Sequence, residues 1–359
     1  MFEAESCPKC GVPRFITEEH LWLDGGVVTQ SRDRRNRLVF FESENFDSVY
    51  CGIEELIGMP IERIVIDASR RSTHAYISRF VPKDVQGLIK ERKIELETMI
   101  DAMLSTSCLM GYGNPTLQGL RFNSREDDFV TIRVAEPYSL PLFCGNIAGT
   151  VEVLVEGEPG VSYKEASPGI FDITVFRSEN PAELKKRLQW KIYQENYKDG
   201  GIEFEKCETC GGPAALSEYA WDLDRGVIRS THTGRRMAML GPAMLDPIFE
   251  ALEEELGDAI PRVVVEAQRR FVRSGFYSVE EVGSEENMRV QLALRGLGNL
   301  KELKVGRRGV RVYLENAALH LLGVGLTQGL FELAFGIESE VEWELSEEGD
   351  LEVEVTPRT

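Results

Sequence analysis

Apolar residues fall into two spacings along this chain. Phe249, Leu252, Leu256 and Ile260 recur three or four positions apart with Glu253 to Glu255 between them, which predicts an amphipathic helix, and Val264 to Phe271 continues the pattern. A long helix is predicted over 83–105, with 279–296 as its counterpart. Toward the end, Val/Glu and Trp/Glu alternation in 340–345 and 351–355 predicts strands with one buried and one wetted face, as in an antiparallel sheet. Before them, 310–314 reads as a strand and 318–335 as an apolar helix. The stretches 129–134, 138–152, 160–163 and 171–176 give strand, helix and strand pair in the same order. Leu21 to Asp24 and Val27 to Gln30 flank Gly25-Gly26 as a hairpin, and Asp224-Arg225-Gly226 marks a second such turn. Helices over one face of an antiparallel sheet place the fold in the α+β class.

The elements come twice because the landmarks do. Cys7, Cys10, Gly11 and Pro13 recur as Cys207, Cys210, Gly211 and Pro213, and Asp24, Gly26 and Val27 as Asp224, Gly226 and Val227. Arg63 and the Arg70-Arg71 pair match Arg262 and Arg269-Arg270; Gly111-Tyr112-Gly113-Asn114 matches Gly296-Leu297-Gly298-Asn299. The last block aligns without a gap: Ile132 with Val312, Glu136 with Asn316, Gly145 with Gly325, Gly149 with Gly329, Glu152 with Glu332, Gly169 with Gly349. A tandem duplication follows, with a first repeat over 1–180, a connecting helix over 181–201 and a second repeat over 202–359. Two homologous domains of this kind are expected to pack as an intramolecular pseudo-dimer.

Composition narrows the class. At 359 residues the chain is too long for one ordinary domain and suits two of about 150 to 180 residues. With 42% hydrophobic and 28% charged residues, each half can bury a core of its own. The net charge of −19 repels nucleic-acid phosphates and anionic lipid, so neither is an expected partner. The basic clusters at Arg32 to Arg37, Arg70-Arg71 and Arg307-Arg308 are short and read as solvated faces or internal ion pairs. Apolar runs such as Leu319 to Leu326 are too short to span a membrane, and Glu3 and Glu5 stand where a secretion signal needs basic residues, so a cytoplasmic protein is expected.

Seven cysteines, four of them in Cys-x-x-Cys pairs, point to reduced thiols and not to a disulfide framework. Each Cys-x-x-Cys-Gly turn aims two thiolates at one cation, with glycine accommodating the left-handed turn. Two such half-sites, Cys7 with Cys10 and Cys207 with Cys210, complete one tetrahedral zinc site shared by the repeats. The alternatives are separate sites completed by other residues, a thiol redox pair, or packed cysteines. A four-thiolate zinc is structural, since it leaves no position open for substrate. Cys51, Cys108 and Cys144 read as buried small hydrophobes, and His320 and His74 as lone satisfied histidines. The two Gly-x-Gly-Asn segments lack the features of a phosphate loop and read as helix C-caps.

The closing block, carried by Asn316, Gly325, Gly329, Glu332 and Gly349 and by Glu136, Gly145, Gly149, Glu152 and Gly169, resembles the 4-vinyl reductase or hydrocarbon-binding domain family. That family is related in fold to haem nitric-oxide-binding domains and to vesicle-trafficking subunits that hold an acyl chain. Its cysteines near the last strand pair are replaced here by Ala166, Ser167 and Ile170 and by Ser346, Glu347 and Asp350. The resemblance implies an apolar cavity between helices and sheet, with Cys144, Tyr138, His320 and Trp343 as candidate ligand-binding residues. It implies a non-catalytic binding or sensory protein for a small hydrophobic ligand. A ligand-free interaction scaffold is the alternative, and an accessory subunit or enzyme of tetrapyrrole or hydrocarbon metabolism the third reading. Haem at His320 or His74 is not expected. A signal would pass to a protein partner, and homo-oligomerisation is left open.

Overall fold

A computed structural model describes residues 5–79, 81, 83–90, 93, 95–122, 127–154, 159–178, 196–281 and 283–358. The chain forms two compact units: unit 1 holds Met1–Glu5, Glu62–Ile192 and Ala220–Ala238, and unit 2 holds Ser6–Ile61, Tyr193–Tyr219 and Met239–Thr359. These units divide the chain otherwise than the expected repeats over 1–180 and 202–359. Each combines the hairpin of one half with the helices and sheet of the other. Most of the expected connecting helix, 181–195, lies outside the described residues, and 196–201 is irregular.

Unit 1 contains helices α3 (Glu62–Ile77), α4 (Lys83–Lys90) and α5 (Leu96–Leu109), then a sheet of β4 (Asn114–Arg121), β5 (Phe129–Ala135), β6 (Pro159–Ser167) and β7 (Ile170–Arg177) with α6 (Leu140–Leu154) between β5 and β6. Its strand order is β4-β5-β7-β6, all antiparallel, with Val130 opposite Val175 and Ile132 opposite Ile173 on the buried face. The single helix expected over 83–105 is two, because Lys93 N–H turns back to Leu88 O and closes α4. Short strands β9 (Val227–Ser230) and β10 (Arg236–Leu240) pair with Arg236 opposite Arg229, following β8 (Tyr219–Asp222).

Unit 2 opens with α1 (Arg14–Glu19), β1 (His20–Leu23), β2 (Val27–Gln30), β3 (Arg37–Glu42) and α2 (Glu44–Ile57). It continues with α7 (Pro242–Leu256), α8 (Ile260–Phe271) and α9 (Glu285–Leu294). Its sheet, ordered β11-β12-β14-β13, is built from β11 (Asn299–Gly306), β12 (Gly309–Glu315), β13 (Ser339–Leu345) and β14 (Leu351–Pro357), with α10 (His320–Phe335) between β12 and β13. The expected helix over 279–296 starts later, at Glu285, where Ser284 accepts a capping bond from Asn287 N–H. Strands β4 and β11 escape the hydrophobic pattern because polar residues interrupt it. No helix among the described residues is long and apolar enough to cross a membrane.

Matched residues make matched contacts. Trp22 Nε1 donates to Leu294 O at 2.9 Å in unit 2, and Trp221 Nε1 to Leu109 O at 3.2 Å in unit 1. Arg37 donates to Gly296 O at 2.8 Å, and Arg236 to Gly111 O at 3.0 Å. Gly26 lies on the Gly298 backbone and Gly226 on that of Gly113, so close that a Cβ would fall 2.3 and 1.9 Å from a carbonyl oxygen. Glu136 and Asn316, aligned in sequence, both hold φ of 51°. The Gly-x-x-x-Gly segments have a packing role. A Cβ on Gly149 would sit 2.2 Å from Arg70 O, and one on Gly325 2.6 Å from Val265 O, so α6 meets α3, and α10 meets α8, at backbone distance.

Candidate metal centre

Both knuckles belong to unit 2. Each is closed by the same local bonds: Cys7 N–H to Val12 O and Gly11 N–H to Cys7 O, and Cys207 N–H to Gly212 O and Gly211 N–H to Cys207 O, all at 2.8 Å. Ser6 bridges Pro13 and Lys206 bridges Pro213, which folds the chain back on itself either side of the thiols. Gly11 and Gly211 sit at φ of 74° and 72°, the left-handed conformation the turn requires.

These turns bring four sulfurs together. Cys7 Sγ lies 3.8 Å from Cys207 Sγ, Cys10 Sγ lies 3.6 Å from Cys210 Sγ, and all four are within 4.8 Å of one another. A tetrahedral ion with metal–sulfur bonds of about 2.3 Å spaces its sulfurs by about 3.8 Å. The four thiols therefore fit a single four-coordinate ion, and their separations exceed a disulfide bond by far. All seven cysteines are free thiols.

The electrostatics divide the four into two pairs. The Cys10 N–H, with that of Lys9, draws the Cys7 thiol down to about 6, and the N–H groups of Cys210 and Thr209 lower Cys207 in the same way. Burial pushes Cys10 up to about 12 and raises Cys210. The first thiol of each knuckle is thus the readier of its pair to ionise, and a cation would favour the thiolate at the second as well. Lys9 and Glu208, one from each knuckle, pair at 2.5 Å on the exposed rim.

The other candidate residues fall in separate units. In unit 1, Cys144 is fully buried on α6 and its thiol is pushed up to about 12 by burial. Tyr138 stacks on Tyr112 at 4.4 Å, and its hydroxyl accepts from Asn146 Nδ2 at 2.9 Å. Asn146 Oδ1 in turn accepts from Ser69 and Thr73, each at 3.0 Å. In unit 2, burial lowers His320 to about 4, which keeps its imidazole neutral, and Trp343 carries the Arg262 guanidinium 5.3 Å above its ring. Neither Cys51 nor Cys108 is the fully buried hydrophobe expected: Cys51 is exposed and Cys108 half-buried.

Sequence reasoning misses two things. Arg70 and Glu152 pair at 2.6 Å in unit 1, as do Arg269 and Glu332 in unit 2; each residue has its match in the other half, and the two matches together are the signal for the pair. Unit 2 also buries a polar cluster of Glu42, Asn45, Gln268, Tyr277 and Arg295. Its counterparts in the other half include apolar Met110, so duplication gives no signal for it.

No protein-family model matches this sequence, and a search of curated proteins finds no match. Solved H-NOX structures align to about a third of it. A Cs H-NOX mutant with 4-cyano-L-phenylalanine at site 5 is 14% identical, covers 33% of this chain and 75% of its own, and gives a TM-score of 0.26. A single-substitution mutant of T. tengcongensis H-NOX gives 14% identity, 33% and 75% coverage and a TM-score of 0.25. An oxygen-binding H-NOX domain related to soluble guanylate cyclases, in its oxygen complex, gives 17% identity, 33% and 73% coverage and a TM-score of 0.25. Scores this low leave the reading of the site to its own residues.

Proposed function

We propose that this chain is a non-catalytic binding protein fastened by one structural zinc ion on Cys7, Cys10, Cys207 and Cys210. The convergence of four sulfurs from two distant knuckles, at separations a tetrahedral ion requires, carries the reading. Zinc suits an all-thiolate tetrahedral set, and four protein ligands leave it no site for substrate. Such thiols must be kept reduced, which favours a cytoplasmic setting.

The bound species in this reading is a small hydrophobic ligand, and unit 1 supplies the support. There the apolar face of α6 runs beside the hydroxyl and amide groups of Ser69, Thr73, Asn146 and Tyr138, the pairing of apolar wall and few polar anchors that ligand sites use. A ligand-free scaffold is the competing reading, favoured by the backbone-distance packing of α6 on α3. Native mass spectrometry and solvent extraction of protein purified without added ligand separate the two. A stoichiometric lipid or aromatic compound supports ligand binding, metal alone supports the scaffold, and a visible haem band would overturn both.

A further inference from the structure

Unit 2 holds Tyr197–Gly201 as a peptide is held by a receptor. Asn316, fully buried and fixed at φ of 51°, accepts from Lys198 N–H at 2.9 Å and donates to Lys198 O at 2.9 Å, so one amide reads both main-chain groups of one residue. Its Nδ2 also donates to Gly25 O at 2.9 Å. The Lys198 ammonium meets Asp350 and Glu348, each at 2.6 Å, and Asp350 is itself buried and accepts from Tyr313. The Arg37 guanidinium lies 5.8 Å from the centre of the Tyr197 ring.

The two glycines that follow are specified for different reasons. A Cβ on Gly200 would fall 2.5 Å from Asn299 Nδ2 and 2.6 Å from Asp24 O, so a side chain has no room there. Gly201 sits at φ of 69° and donates its N–H to Asp24 Oδ2 at 3.2 Å. Asp199 is exposed and unspecified. The far wall needs a glycine too, since a Cβ on Gly25 would lie 2.0 Å from Lys198 O. Unit 1 has Arg225 at the position matching Gly25, with its guanidinium bonded at 2.7 Å to Glu136, the match of Asn316, so there the position of the reading amide is engaged by a side chain of the same unit.

Main-chain pairing supplies affinity and side-chain pockets supply selectivity in peptide recognition. We propose that this groove in unit 2 is a recognition site for an aromatic–Lys–X–Gly–Gly segment whose last glycine is left-handed, filled in cis by Tyr197–Gly201. The groove goes beyond the metal reading and does not depend on it. A free segment of the same pattern would bind wherever the tethered one is displaced.

The test uses the full chain with Gly200→Trp, which expels the tethered segment and leaves the groove residues intact; Lys198→Glu, repelled by Asp350 and Glu348, does the same by charge if the first variant misfolds. A fluorescent, terminally blocked peptide Tyr-Lys-Asp-Gly-Gly-Ile is titrated by polarisation. It should bind the opened chain and not the unaltered one. Binding should fall at least about tenfold with Asn316→Ala added, or with Glu in place of the peptide's Lys, as loss of a bidentate contact or a charged hydrogen bond implies. Absence of binding to both opened variants at unchanged circular dichroism would overturn the proposal, as would binding indifferent to Asn316→Ala.

Discussion

Unit 1 and unit 2 share a helix pair and a four-stranded sheet but treat the buried polar groups differently. In unit 1, Glu152 receives the Arg70 guanidinium and keeps some exposure, whereas in unit 2 Glu332 accepts from Arg269, Arg273, the Ser339 N–H and the Ser339 hydroxyl. The same carboxylate position therefore ties two helices in one unit and two helices plus a strand in the other. Unit 2 adds the Glu42–Arg295 pair and the Asn45–Gln268 bond, and it carries the cysteine cluster and the Lys198 groove. Two units of like architecture can thus share their helix and sheet packing while one of them gathers the specialised contacts.

The comparison breaks most visibly at the helix contacts. Gly149→Leu drives a side chain into the Arg70 backbone and should abolish cooperative thermal unfolding of unit 1, whereas Gly323→Ala, with Leu351 no closer than 4.0 Å, should be neutral or stabilise by up to ~1 kcal/mol through helix propensity. Next come the carboxylates. Glu332→Gln weakens the buried acceptor of Arg269, Arg273 and Ser339, while Arg269 keeps Glu266, and should cost about 1–3 kcal/mol in denaturant titration. Glu152→Gln, with fewer bonds and more exposure, should cost less, and equal losses would erase the distinction between the units. Trp22→Phe and Trp221→Phe each remove one carbonyl hydrogen bond and should cost about 1 kcal/mol apiece, testing whether the exchanged hairpins are held alike.

Stability should also depend on pH. Burial, with Glu250 adding to it, raises Asp246 from 3.8 to about 7 in the folded chain. A carboxyl raised on folding contributes stability that is complete below its unfolded value and lost as pH rises through the folded one. Between about pH 4 and 7 the melting temperature should therefore drift down, and Asp246→Asn should flatten that slope.

Much of this is legible in the sequence. Alternating Val and Glu mark β13 and β14, the spacing of Leu252 and Leu256 marks α7, and the Cys-x-x-Cys-Gly turns mark the cysteine cluster, because in each case a local pattern carries the structural requirement. The grouping of hairpin with sheet is not legible, since periodicity within a segment says nothing about which distant segment covers it. Arg37 shows the same limit: it reads as one of a basic run on a solvated face or in internal ion pairs, yet its guanidinium is spent on the carbonyls of Gly296, Asn316 and Ala317. Asn316 stands out in the sequence only as an aligned position, and its role depends on Lys198, 118 residues away.

The proposed function rests on Cys7, Cys10, Cys207 and Cys210 sharing one zinc ion. Native mass spectrometry of the zinc-loaded chain tests it most directly. One zinc ion per chain is expected, lost to the same degree in Cys10→Ser and Cys210→Ser; two ions per chain, or one ion retained when Cys207 and Cys210 are both replaced by serine, would rule out the shared site.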